Sequence, residues 1–164
     1  MSIELVRIDD RLIHGQVVVG WLPHLRAQEV VVVSEAAAKD PTQVTLMQLA
    51  LPDNVDLRCL STHEAVAHLA GPEIAAKRLL VLTPGPFEVL GLLDKGARFS
   101  HVNVGGLHYT AGRVQLGKAI FLSELDKEAL REIGRRGVRL EGRAIPGDAE
   151  IDILKMIGEY NYSS

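Results

Sequence analysis

The chain has little to staple it and nothing obvious to anchor it. Its 164 residues include one cysteine, Cys59, so an internal disulfide is impossible and a reducing compartment is expected, with Cys59 as inert filler of a buried strand. Aromatic residues make up only 4% against 47% hydrophobic residues overall, which describes a core of Val, Leu, Ile and Ala, the usual filling of a parallel sheet under helices. No uninterrupted apolar run approaches membrane-spanning length. The opening MSIELVRIDD also lacks the basic region, apolar stretch and small-residue cleavage site of a secretory signal. A soluble, cytoplasmic protein is therefore expected, and any part in transport would be that of a peripheral partner to a membrane-embedded subunit.

An excess of positive charge is missing too. With 18 basic and 21 acidic residues the formal charge is -3, which creates no general field to gather nucleic acid or an anionic membrane. Any anion site must be local. No Gly-x-x-x-x-Gly-Lys-Ser/Thr loop follows a strand and no Gly-x-Gly-x-x-Gly opens a helix, so direct use of ATP or a dinucleotide lacks support. His63 and His68 do not make a zinc helix, because five residues are about 140° round a helix and the pair falls on different faces. His24 and His101 have no motif around them.

What is present is a run of βα units with no repeat, linker or low-complexity tract, which predicts one domain over residues 1–164. Strands are expected at Ile3 to Ile8, Glu29 to Val33, Val55 to Leu60, Leu79 to Leu82, His101 to Val104, Ala119 to Leu122 and Val138 to Ile145. Glu29 to Val33 is an unbroken apolar run after its first residue, the mark of burial on both faces. Helical spacing covers Gly15 to about Leu25, with Pro23 distorting or ending the last turn. Asp40-Pro41 opens another helix that Gln43 is placed to cap, and Ser61 with Glu64 makes a second capping box. Thr83-Pro84-Gly85-Pro86 turns into a helix closed by Gly96. Ser123 and Asp126 begin one whose Leu125, Ala129, Leu130 and Ile133 form a face and which Gly137 ends. Between Gly105 and Gly112 an irregular segment breaks the alternation, and a last short helix is expected between Glu150 and Tyr160.

Parallel sheets bind ligands beyond the carboxyl ends of their strands, where strand order reverses. The densest polar cluster in the first third of the chain, Asp9-Asp10-Arg11-Leu12-Ile13-His14-Gly15-Gln16, follows the first strand and is the primary candidate site. A neutral imidazole is a competent phosphoryl acceptor near neutral pH, where serine would need a general base. Placed at a helix start, His14 would bring the amides of Gly15 and Gln16 and the positive end of the dipole toward a bound phosphate, and Gly15 leaves room for it. The planar guanidinium of Arg11 suits two phosphoryl oxygens. Either Asp9 or Asp10 is placed to fix the imidazole tautomer or to hold Arg11, with Asp10 preferred. His108 is positioned to line the same crevice, although a hydrogen-bonded loop histidine is the simpler reading. Spacing alone leaves a bland alternative level with all this: a solvated histidine beside a surface ion-pair cluster.

The run Arg7-Ile8-Asp9-Asp10-Arg11-Leu12-Ile13-His14-Gly15-Gln16-Val17 resembles the N-terminal signature of the mannose/sorbose-family IIB components of the phosphoenolpyruvate-dependent sugar phosphotransferase system. The resemblance continues through Asn103-Val104-Gly105-Gly106-Leu107-His108 and Arg143-Ala144-Ile145-Pro146. It implies an α/β fold, an open, mostly parallel twisted sheet with helices on both faces. It further implies that His14 takes a phosphoryl group from a phosphohistidine IIA protein and donates it to a sugar, that Arg11 binds the phosphate, and that the chain docks on IIC and IID membrane subunits. No metal or nucleotide is implied as a cofactor, and the activity would be that of a protein-Nπ-phosphohistidine–sugar phosphotransferase component. One departure is Val33-Ser34-Glu35-Ala36, where many relatives carry an Asn-Asp pair. Two alternatives stand beside this: a stand-alone regulatory phosphocarrier, and a non-catalytic sugar- or phosphate-binding module. A receiver module is rejected, because Leu60-Ser61 and Val104-Gly105 occupy the places where its aspartate and lysine belong.

Overall fold

Apolar segments separated by amphipathic ones form a sheet only if helices cover both of its faces, and the computed structural model shows that arrangement. It describes residues 3–163 apart from 109 and 118. Among these, β1 (Ile3–Asp9), β2 (Glu29–Val33), β3 (Asp56–Leu60), β4 (Leu79–Thr83), β5 (His101–Gly106), β8 (Arg139–Gly142) and β9 (Ile151–Asp152) form a seven-stranded sheet. Its order is β3-β2-β4-β1-β5-β8-β9, parallel throughout except that β9 runs against β8. The remaining strands, β6 (Val114–Gly117) and β7 (Ile120–Leu122), make a separate antiparallel hairpin.

Successive residues of a strand face opposite layers, and β1 uses this to divide the core. Val6 and Ile8 join the layer built with α4 (Thr62–Ala70), α5 (Pro86–Asp94), α6 (Glu124–Arg135) and α7 (Ile153–Ser163). Leu5 joins the layer under Val17, Trp21, Leu22 and Leu25 and under the helices α2 (Glu35–Ala38) and α3 (Pro41–Ala50). On that second face the apolar pattern stops at Arg7 and Asp9, both fully buried. Arg7 lies level with Asn103 of β5, which lies level with Glu141 of β8, so a polar row crosses three strands inside the protein.

Several expectations needed correction. Leu125 is 71% exposed, and the inward face of α6 is instead made by Lys127, Ala129, Leu130 and Ile133 with Asp126. β3 is an edge strand with no fully buried residue, so Cys59 is half-buried; burial still pushes its thiol pKa up, as suits an inert residue. The strand expected at Val138 to Ile145 is only β8, Arg139–Gly142, because the carbonyls of Arg143 and Ala144 accept from side chains instead, and a short β9 follows it. Pro23 does fall in the last turn of the helical stretch, α1 (Leu22–Leu25), where a proline in the first positions of that turn is tolerated and Arg26, in the left-handed conformation, ends it. Asp40 caps α3 through the Gln43 amide, whereas Ser61 with Glu64 and Ser123 with Asp126 form complete capping boxes. No helix among the described residues is long and apolar enough to cross a membrane.

The topology also locates a crevice. The chain leaves β1 toward β2 on one side and leaves β5 toward β8 on the other, so the strand order reverses between β1 and β5. Their carboxyl ends open into the space where such sheets hold ligands.

Candidate functional site

Two loops meet in that crevice, residues 10–15 after β1 and the segment after β5 that carries His108 and Arg113. The first is bent by Leu12, whose φ of 58° is unusual for a bulky residue and costs on the order of 1–3 kcal/mol. Burial of the Leu12 side chain to 4% exposure offsets that strain, and a bond from its amide to the Asp9 carbonyl (3.0 Å) closes the turn. The bend folds Arg11 back over Asp9. Beyond it the His14 carbonyl accepts from the amides of both Val17 and Val18, starting the wide helical turn Gln16–Trp21, in which the Leu22 amide reaches back to Val17. Such π-type turns recur at functional sites. The first turn of a helix leaves its amides without intrahelical acceptors, here those of Gly15 and Gln16.

Asp9 is the hub. Its Oδ2 meets His14 Nε2 at 2.8 Å and accepts from Arg7 Nη2 at 3.0 Å and Arg11 Nη2 at 3.2 Å. Its Oδ1 accepts from the Arg11 amide at 3.1 Å and from Arg11 Nε at 3.2 Å. Burial alone would raise the pKa of this carboxyl. Hydrogen bonds from His14 and Arg11, with the nearby charges of His14 and Arg7, outweigh that and hold it far below the ordinary carboxylate range. An ionised carboxylate only accepts, so the proton between the two groups belongs to His14 Nε2. Among the described residues nothing bonds to His14 Nδ1, so in the neutral ring, with the proton on Nε2, the lone pair of Nδ1 is unengaged. The His14 side chain is 16% exposed, neither sealed in nor fully solvated.

Arg7 supports Asp9 from beneath. Its Nη1 donates to Asn103 Oδ1 (2.6 Å) and the Arg143 carbonyl (3.0 Å), and its Nη2 also donates to the Ala144 carbonyl (3.0 Å). Burial pulls the Arg7 pKa down while Asp9 opposes the shift, and the pair stays charged. Gly105 leaves room for this guanidinium, since any Cβ there would run into it. Trp21 roofs the network: its ring lies 5.1 Å from the Arg7 guanidinium carbon and 5.2 Å from that of Arg143, and its Nε1 donates to the Ala144 carbonyl. Asn103 passes the row on to Glu141, which also holds Arg143 and His101.

Asp10 plays a different part from the one preferred for it. It does not touch His14; its Oδ2 accepts from the His108 amide (2.7 Å) and its Oδ1 bonds His108 Nδ1 (2.6 Å). Arg113 fastens the same loop through the His108 carbonyl (2.8 Å) and Asp126 (3.0 Å). The structure thus brings Asp9, Arg11, His14, Gly15 and Gln16 together, with the Gln16 side chain accepting from Arg11 Nη2 at 3.0 Å, and it assigns orientation of the imidazole to Asp9. Arg7 and Asn103 were not singled out as site residues. The signal for Arg7 is a charge at an inward position of β1, and that for Asn103 an amide inside the apolar strand β5, both where an apolar residue belongs.

An imidazole with one free nitrogen, a partly exposed guanidinium on the same carboxylate and a helix start beside them make a centre suited to anion attack and anion binding. An open apolar shelf of Val19, Gly20, Ile145 and Pro146 adjoins Gly15 and Gln16, with Val19 78% exposed.

Comparison with known proteins bears on this centre. The family described as PTS system sorbose subfamily IIB component matches residues 3–164. The sorbose-specific EIIB component of Klebsiella pneumoniae is 34% identical over 159 residues, covering 97% of each chain. The mannose-specific EIIAB component of Escherichia coli K12 is 32% identical over 159 residues, 97% of this chain but 49% of that longer protein. The crystal structure of the IIBSor domain of the Klebsiella pneumoniae sorbose permease superposes with a TM-score of 0.92 at 34% identity, covering 97% of this chain and 98% of that one.

Proposed function

The chain belongs to the sorbose subfamily of IIB components of the phosphotransferase system, a family of phosphotransfer in sugar uptake, and from that premise we propose that His14 is its phosphoryl carrier. In this reading a phosphohistidine IIA protein delivers the group to His14 on the cytoplasmic side, and His14 hands it to a sugar held by IIC and IID membrane subunits. The observation that carries the proposal is the 2.8 Å contact of His14 Nε2 with Asp9. It commits Nε2 to a proton and leaves Nδ1 as the attacking atom, so the product is the Nδ1 (Nπ) phosphohistidine. Arg11 is the charge stabiliser. It is 37% exposed and leans on Asp9 and Gln16, from which it swings to oxygens that gain charge during transfer. The shelf around Val19 suits a protein donor better than a small phosphate donor, since it offers apolar area beside the ring.

The test uses purified protein mixed with phosphoenolpyruvate, enzyme I, the histidine carrier protein and a cognate IIA protein. Label is expected on His14 alone, acid-labile and alkali-stable, and chromatography of an alkaline digest should return the Nδ1 isomer. Acid-stable label on serine or threonine would contradict the assignment, and the Nε2 isomer would contradict the role given to Asp9. Arg11→Ala should slow labelling about 10²-fold, the usual loss when one stabiliser of a developing anion is removed.

A further inference from the structure

The hydrogen-bond pattern makes the two halves of this reaction unequal in their need for a base. When His14 accepts a phosphoryl group from another phosphohistidine, its Nδ1 lone pair attacks phosphorus and the donor imidazole leaves with the electron pair; no proton has to move. Transfer onward to a sugar differs. The hydroxyl oxygen forms the new O–P bond and the Nδ1–P pair returns to Nδ1, but Nε2 already carries a proton held by Asp9, so the departing ring is neutral without taking another. While the O–P bond forms, the Nδ1 pair is still engaged with phosphorus and cannot receive the hydroxyl proton, so a second group is the better acceptor.

We propose that His108, oriented by Asp10, is that group: its Nε2 takes the sugar hydroxyl proton as the O–P bond forms and the His14 Nδ1–P bond breaks, and later releases it to water. This rests on reading His14 as the carrier. The short contact with the Asp10 carboxylate places the ring proton on Nδ1, which leaves Nε2 with a lone pair and lets Asp10 stabilise the imidazolium that forms. The residue is held at three points, its backbone amide and ring Nδ1 by Asp10 and its backbone carbonyl by Arg113, yet its side chain is 43% exposed.

Gly106 gives the convergence. A Cβ placed on it would lie 3.2 Å from His108 Cε1, 3.3 Å from Arg11 Nη2 and 3.4 Å from Asp9 Oδ1. The His108 ring and the Arg11 guanidinium therefore flank one point above the end of β5. Arg11 Nη2 also bonds Asp9 Oδ2, the atom that holds His14 Nε2, so one guanidinium links the surroundings of both histidines, and in this proposal the phosphoryl group it clamps comes within reach of the His108 ring.

The experiment separates the halves. Wild-type protein, His108→Gln and His108→Ala are labelled through the IIA protein. Each phosphoprotein is then discharged either back onto unphosphorylated IIA or onto sorbose or mannose with membranes carrying its IIC and IID subunits. The His108 variants should take up label and return it to IIA within about two-fold of wild type, while sugar phosphorylation falls about 10²-fold, the usual contribution of a positioned base. Added imidazole should restore sugar transfer in His108→Ala. Unchanged sugar transfer overturns the proposal, and so does equal slowing of both discharges, which would make His108 a phosphate ligand or a structural residue. Absence of label on wild-type His14 would instead defeat the carrier assignment beneath it.

Discussion

With alanine in place of His14, the protein should fold as the parent does and accept no phosphate. The ring is not a core element, and its loss leaves Asp9 with both arginines, so no buried charge is orphaned. Surface and half-buried substitutions that create no cavity or unpaired charge usually change stability by less than about 1 kcal/mol. The expected result is a urea midpoint close to the parent's together with labelling at background. His14→Gln should behave identically, since an amide nitrogen has no lone pair to attack phosphorus. Retained labelling in either variant would place the acceptor elsewhere.

Asp9→Asn should do the opposite, damaging fold and chemistry at once. Arg7 is fully buried and depends on Asp9 for its balancing charge within hydrogen-bond distance, and removing one partner of a buried pair typically costs about 3–5 kcal/mol. That exceeds the roughly 1 kcal/mol of an ordinary hydrogen bond, so the drop in unfolding free energy measured with urea distinguishes the two accounts. The chemistry suffers separately, because the asparagine amide is able to donate to Nε2, which would shift the ring proton to Nδ1 and remove the attacking lone pair. Labelling should therefore fall even at low temperature where the variant stays folded. The acid limb follows from the sign of the shift. Asp9 has its folded pKa far below the ordinary value, so its stabilisation is fully present above the unfolded carboxylate range near about 4 and is lost as pH drops below it. The stability gap between parent and variant should accordingly close in acid.

The fold was largely readable because its signals are local. Val30 to Val33 could only be a strand buried on both faces, and Ser61 with Glu64 or Ser123 with Asp126 announce helix starts through bonds spanning three residues. What escaped depended on distant partners. Leu125 fits the periodicity of α6 but points to solvent, because the helix lies on the sheet through Leu130 and Ile133. The strand β6 lies between the irregular segment and the strand expected at Ala119 and was not read from the sequence, since a two-stranded hairpin has little apolar alternation to show. At the site, residue types and chain positions were legible, but the division of labour between adjacent aspartates was not. The alternation of β1 turns Asp9 inward to Arg7, and the turn that follows carries Asp10 to a loop some hundred residues away, a pairing that only β1 beside β5 creates.

Trp21 is the sole tryptophan in the sequence, and it stacks over the guanidinium that holds Asp9. Nature has thus installed a fluorophore one side chain removed from the charge centre. Indole emission is sensitive to nearby cations, so loading and unloading of the protein should be visible in a stopped-flow fluorimeter without dye, radioisotope or engineered label.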